Sequence, residues 1–239
     1  MIFLLGVVGL VFGSFLNVLI WRLNDSEAPK FWWGRSICPR CKKQLAWFDN
    51  IPLLSFALLR GECRFCHQKI SWQYLVVEAL TAIAFVLTSQ FVKLDKLDQF
   101  AIFGITAVFI VIFFSDLVYG LIPDEMIIAG VALGVILAGV QNLLFGFLTA
   151  IPFFIFAKLK LMGEGDIGLA FLIGLLLGWP KIIIALWSAF ILGGVTAIIL
   201  LLLKRTKLSA TIPLGPFLII GTVIAGLWSK IILQLLGFG

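Results

Sequence analysis

Charge is scarce in this chain. Of its 239 residues only 13% are Asp, Glu, Lys or Arg, against 62% hydrophobic, and that balance excludes an ordinary soluble domain. Strict alternation of apolar and polar residues is also missing, which argues against a spanning β-barrel. No basic stretch precedes the first apolar run, MIFLLGVVGLVFGSFLNVLIW, and no small-x-small cleavage signal follows it. The run therefore reads as a retained first helix rather than a signal peptide. Cysteine is absent outside one loop, and histidine occurs once, as His67.

What is present is a series of apolar runs near twenty residues long, the pattern of an all-α polytopic membrane protein. The runs predict about eight transmembrane helices, over 1–21, 72–92, 100–115, 125–143, 144–158, 167–179, 181–203 and 212–236. Pro152 interrupts the fifth. The sixth would be only about 20 Å long at 1.5 Å per residue, short of a hydrocarbon core of about 30 Å. Its start is expected below the membrane surface, shielded by other helices. The organisation that follows is a first transmembrane helix (1–21), a soluble loop (22–71) and a membrane core (72–239).

Basic residues set the orientation. With residue 1 outside, the inner loops gather Arg22, Lys30, Arg35, Arg40, Lys42, Lys43, Arg60, Arg64, Lys69, Lys158, Lys160, Lys204, Arg205 and Lys207. The outer side keeps Lys93, Lys96, Lys181 and Lys230. This is a strong positive-inside bias, and it places the 22–71 loop in the cytoplasm. The net charge of +6 is thus mostly topology. Spread over several loops, it argues against a nucleic-acid partner.

All four cysteines lie in the 22–71 loop, as two C-x-x-C pairs: Cys38 with Cys41 and Cys63 with Cys66. A loop this small cannot bury much core without a staple, and four thiolates in two close pairs suit a tetrahedral structural zinc. CRFCH also matches the haem c attachment pattern. That attachment belongs on the outer side of the membrane and leaves the other pair unexplained. Disulfides are disfavoured in a reducing compartment. A thiol protease built on Cys66 and His67 lacks a third orienting group. His67 reads as a solvated loop residue.

Acids interrupt the basic inner face at two turns. SDLVYGLIPDEM carries Asp116, Asp124 and Glu125, and LKLMGEGDIGLAFLIGLLLGW carries Glu164 and Asp166. Glu78 lies within the second helix. Acids at membrane depth are costly and mark functional candidates. Asp116 closes the third expected helix, where a helix C-terminus disfavours negative charge. Asp124, Glu125 and Glu164 read as charges stabilised at helix N-termini; for Asp166, cap and catalyst stand even. Two aspartates brought together share a proton, so that one activates water as a base while the other polarises a peptide carbonyl as an acid. Gly163, Gly165 and Gly168 let the backbone approach a neighbour closely. They are no dinucleotide fingerprint, since no strand precedes them. An ion-coupled transporter would also use intramembrane acids, but no inverted repeat supports one. A zinc-loop scaffold for a secretion machine is a third class.

The segments together resemble the prepilin peptidases, or type IV leader peptidases, which are membrane aspartic proteases of the GxGD type. GLVFGSFLNVLIWRL resembles the family's first helix. CPRC followed by WFDNIPLLSFALLRGECRFCHQKISWQYLVVEALT is similar to its zinc loop and second helix. SDLVYGLIPDEM and GEGDIGLAFLIGLLLGW resemble its two catalytic segments, and IPLGPFLIIG is similar to its last helix. The resemblance implies Asp116 and Asp166 as the catalytic pair. Gly163, Gly165, Asp124 and Glu78 are supporting or substrate-path candidates, with Asn17 and Arg22 near the inner face. It implies an enzyme of the cytoplasmic membrane that removes the basic leader of type IV prepilins and type II secretion pseudopilins. It also implies methylation of the new N-terminus by S-adenosylmethionine. Two positions depart from the family pattern: Gly168 stands where Lys is usual, and Glu62 replaces the Lys of R-G-K-C.

Overall fold

A computed structural model describes residues 2–26, 28, 36–91, 96–204 and 212–235. Lys30, Arg35, Lys93, Arg205 and Lys207 lie outside the described residues, as do Met1, Val92 and Leu236 at the ends of expected helices. The described chain is helical: α1 (Ile2–Asn24), α2 (Leu54–Leu58), α3 (Trp72–Phe91), α4 (Lys96–Tyr119), α5 (Asp124–Ala138), α6 (Leu143–Lys158), α7 (Gly165–Leu177), α8 (Lys181–Leu202) and α9 (Gly215–Leu235). Among the described residues the only β pairing is two isolated bridges in the loop.

Every expected apolar segment forms a helix, and the eight differ in length. Among the described residues six stretches are long and apolar enough to cross a membrane by length and composition: Ile2–Asn24, Trp72–Gln90, Leu97–Tyr119, Val140–Lys158, Lys181–Leu202 and Gly215–Leu235. The other two helices, α5 with 15 residues and α7 with 13, rise only about 20 Å. The expected 125–143 helix ends early because Gly139 takes φ 77°, and a 3-10 turn at Val140–Asn142 then leads into α6. Pro152 does not break α6; a membrane helix tolerates proline where neighbours re-satisfy the freed carbonyl. Asp116 does not close its helix either. The chain continues one turn further to Tyr119, and the N–H of Gly120 donates to the Asp116 carbonyl at 2.9 Å.

The chain divides into two compact units, 1–114 and 115–239. The division falls inside α4, so its last turn, with Asp116, belongs to the second unit. In the first unit α1 lies directly on α3. A Cβ added at Gly9 would stand 2.6 Å from the Cα of Ala82, and one at Gly13 would stand 2.6 Å from the Cα of Glu78. Gly9 and Gly13 form a small-xxx-small seam, the device by which membrane helices bring backbones together without help from the hydrophobic effect. Further along α3, Phe85 stacks on Phe103 with ring centroids 4.8 Å apart.

In the second unit α7 is the core. Its Leu169, Leu172, Ile173 and Leu175 are fully buried, covered by α5, α6 and α9, while α8 packs along α9. The middle of this short apolar helix is thus surrounded by protein, as suits a segment too short to face lipid along a full crossing. The long helices instead leave large apolar side chains exposed, such as Leu148, Ile198 and Ile231, as lipid-facing surfaces do.

Candidate active site and metal centre

The cysteine loop is built from one small turn used twice. Ile37 bridges Gln44 around the first pair, and Glu62 bridges Lys69 around the second. In each turn the first cysteine's N–H donates across the base, Cys38 to the Lys43 carbonyl and Cys63 to the Gln68 carbonyl, both at 2.9 Å. The residue after each second cysteine then donates back, Lys42 to Cys38 and His67 to Cys63, again at 2.9 Å. Both must take positive φ to do so, 57° at Lys42 and 54° at His67. His67 is therefore an exposed turn residue, the counterpart of Lys42.

The four Sγ atoms of Cys38, Cys41, Cys63 and Cys66 all lie within 4.8 Å of one another, with Cys38 and Cys66 at 4.0 Å. A tetrahedral ion with Zn–S bonds of about 2.3 Å asks for S–S edges of about 3.8 Å, so the donors fit. Backbone N–H groups point at the sulfurs as well. Burial pushes the Cys38 thiol up to about 11. Burial acts the same way on Cys63, but the N–H groups of Cys66 and Phe65 and the neighbouring thiols outweigh it and bring Cys63 down to about 7. The loop is tied further by Arg64, whose Nε and Nη2 donate to Asp49 at 2.9 and 2.8 Å.

In the second unit the last turn of α4 and the first turn of α7 carry the two aspartates. Asp116 and Asp166 are 7% and 8% exposed, which is unusual for carboxylates, and neither has an ion pair among the described residues. The two turns that carry them are in contact. Gly165 is one reason. Ile122, just after α4, packs onto it so tightly that a Cβ there would stand 2.8 Å from the Ile122 Cβ. A Cβ at Gly163 would stand 3.4 Å from Asp166 Oδ2. Glu164 is exposed at the N-cap of α7 and its side chain makes no capping hydrogen bond. Asp124 and Glu125 are exposed in the first turn of α5. Glu78 works within the first unit, where it is buried and accepts the Leu53 N–H at 2.9 Å.

One residue of the site was not legible in the sequence. The N–H of Gly215, the first residue of α9, donates to Asp116 Oδ2 at 2.8 Å. A Cβ at Gly215 would stand 2.6 Å from that oxygen. The Gly-Pro pair inside IPLGPF was the available sign, because proline at the start of a helix leaves the preceding N–H free to point at a ligand.

Residues 7–91 match the bacterial peptidase A24 N-terminal domain, and residues 103–198 match the type IV leader peptidase family. A prepilin leader peptidase/N-methyltransferase of Vibrio cholerae serotype O1 is 32% identical, over 92% of this chain and 94% of its own. One of Pectobacterium carotovorum is 31% identical over 92% and 90%, and one of Legionella pneumophila 29% over 98% and 93%. The chain belongs to the type IV leader peptidase family. No solved structure matches it. The family match at 103–198 contains both aspartates, and the N-terminal match contains the four cysteines. Gly215 lies beyond both, so its place beside Asp116 is a feature of the fold that neither match covers.

The departures from the family pattern also have a place. Gly168 sits where α7 meets α5, and a Cβ there would stand 3.1 Å from Ile127 Cγ2. The missing lysine is thus replaced by a close helix contact. Glu62 holds the bridge position of the second cysteine turn, opposite Lys69.

Proposed function

We propose that this leader peptidase is an aspartic endopeptidase of the cytoplasmic membrane, with Asp116 and Asp166 as its dyad. The observation that carries the reading is two buried carboxylates on turns joined by the Ile122–Gly165 contact, with no ion pair to either among the described residues. Two such groups cannot both ionise cheaply, so one retains a proton. The ionised carboxylate takes a proton from water as the water oxygen bonds to the scissile carbonyl carbon. The protonated one donates to the carbonyl oxygen. When the tetrahedral species collapses, the C–N bond breaks and a proton passes to the leaving amine. The products are a leader with a free carboxylate and a mature chain with a new N-terminal amine.

The substrates are prepilins and pseudopilins, in keeping with the names of the Vibrio and Pectobacterium relatives. Their basic leaders remain on the cytoplasmic side, where the positive-inside pattern also puts the aspartate turns. The same names carry a second reaction, N-methylation of the exposed amine, and we extend it to this chain. Cys38, Cys41, Cys63 and Cys66 would hold a structural zinc that fixes the loop; no step of the cleavage needs it.

Separate Asp116→Asn and Asp166→Asn chains, purified and incubated with a prepilin, test the dyad. Each should lose cleavage by roughly 10²- to 10⁴-fold, the usual contribution of a positioned acid or base, with elution and metal content unchanged. Wild-type cleavage by either variant removes that residue from the mechanism.

A further inference from the structure

The loop between α1 and α3 reads as soluble, yet its middle is tied to both helices well inside their ends. The Ser14 hydroxyl of α1 donates to the Asn50 carbonyl at 3.1 Å, and Glu78 of α3 accepts the Leu53 N–H at 2.9 Å. Both helices are long and apolar enough to cross a membrane. Ser14 precedes Arg22, in the last turn of α1, by about 12 Å of helix, and Glu78 follows Trp72, the first residue of α3, by about 9 Å. The two bonds therefore hold residues 50–53 against the apolar parts of α1 and α3, not beyond them. Phe56 of α2 then packs on Trp72 with ring centroids 5.3 Å apart, which keeps α2 level with the end of α3. What this segment shows to its surroundings is apolar. Trp47 is 79% exposed, Leu58 74% and Leu54 52%. Its one acid, Asp49, is paired with Arg64 at 2.8 Å, and that guanidinium lies over the Phe48 ring at 4.9 Å.

We propose that residues 47–58 are an interfacial anchor, seated in the inner leaflet of the bilayer with Trp47, Leu54 and Leu58 against lipid. The inference needs only that α1 and α3 cross the membrane, and it is independent of the peptidase reading. The chemistry of the segment fits a bilayer boundary. Tryptophan concentrates at headgroup level. An apolar face flanked by cations settles about 5–10 Å into the headgroup–acyl boundary, and here the flanking cations are Arg60 and Arg64, both exposed. The inner surface of a membrane is negative and attracts such groups. Irregular backbone is tolerated at this depth only where its polar groups find partners. The Asn50 carbonyl and the Leu53 N–H have theirs in Ser14 and Glu78. Water outside the membrane would instead meet two nearly bare apolar side chains, Trp47 and Leu58, on one short stretch of loop. The anchor holds the cysteine turns, which lie on either side of it in the chain, at the membrane surface.

The test uses the full chain in lipid nanodiscs that contain anionic phospholipid. The photoreactive residue p-benzoylphenylalanine replaces Trp47, Leu58 or, as a reference, Ile83, which is 54% exposed on α3. After irradiation the adducts are identified by peptide mass. Lipid adducts at positions 47 and 58, as at 83, are the expected result. Absence of lipid adduct at either position, where position 83 gives one, overturns the proposal. Crosslinks from 47 or 58 to residues 115–235, or to a prepilin added to the discs, in place of lipid also overturn it and make the surface a protein contact. The unsubstituted chain supplies a second measurement. Trp187 is 63% exposed on α8, a helix long enough to cross. Under hydroxyl-radical oxidation in the same discs Trp47 should react no faster than Trp187. Oxidation of Trp47 several-fold faster than Trp187 would place it in water and overturn the anchor.

Discussion

Gly215 is the most informative single residue of the aspartate site. Its N–H holds one oxygen of Asp116, and its missing Cβ is what allows that approach. Gly215→Ala should therefore displace the Asp116 carboxylate without disturbing any large core side chain. We expect cleavage to fall at least tenfold in kcat with little change in KM, because a positioning residue acts on the reacting group rather than on substrate binding. Unchanged kcat would remove Gly215 from the mechanism. Gly168 gives a second expectation. Gly168→Lys alone should lower stability by about 1–3 kcal/mol, the usual cost of overpacking, measured by denaturant titration in micelles. Adding Ile127→Ala should restore much of it, since the obstructing atom is Ile127 Cγ2. Additive losses would show that the contact with Ile127 is not what excludes the lysine. Asp116 and Asp166 were legible because an acid in an apolar chain is costly wherever it falls. Gly215 was not, because it meets Asp116 across 99 residues of chain, and nothing local records such a meeting.

Elements were readable in proportion to how locally they are determined. The four cysteines announced a cluster through spacing alone, yet the duplication of the turn appears only in its hydrogen bonds and in the paired positive φ of Lys42 and His67. That duplication makes a prediction. His67→Gly should retain about one metal per chain by elemental analysis. Stability should change by less than about 1 kcal/mol, because relief of the left-handed backbone is offset by greater freedom in the unfolded chain. Loss of the metal would make His67 a ligand. Cys38→Ser with Cys63→Ser should abolish metal binding, and a metal-free wild-type chain that still folds would remove the zinc from the account. The α1–α3 seam was present in the sequence as the G-x-x-x-G of GLVFG, but its partner was not. Sequence cannot say that Gly13 faces Glu78 and Gly9 faces Ala82. The ends of α5 were misjudged for the opposite reason: one glycine in a left-handed conformation outweighed an apolar run that continues past it.

The passage of the whole chain across the membrane follows from the site. Asp116 and Asp166 lie close together, so the chain between them must return to the face from which it left. α6 is long enough to cross, and one crossing alone would put the two aspartates on opposite faces. α5 must therefore supply the other crossing, despite its 15 residues. The same reasoning extends to α7 and α8, because the positive-inside pattern places Lys158, Lys160 and Lys204 on one side. Two helices rising only about 20 Å are then expected to cross where the bilayer is thinned or where protein surrounds them, as it surrounds the middle of α7. Reporter domains inserted after Gly139 and after Gly178 check this directly. Both should report the side opposite to reporters placed after Lys160 and Lys204. If the Gly139 and Lys160 reporters fall on the same side, α6 does not cross, and the two-crossing path between the aspartates is wrong.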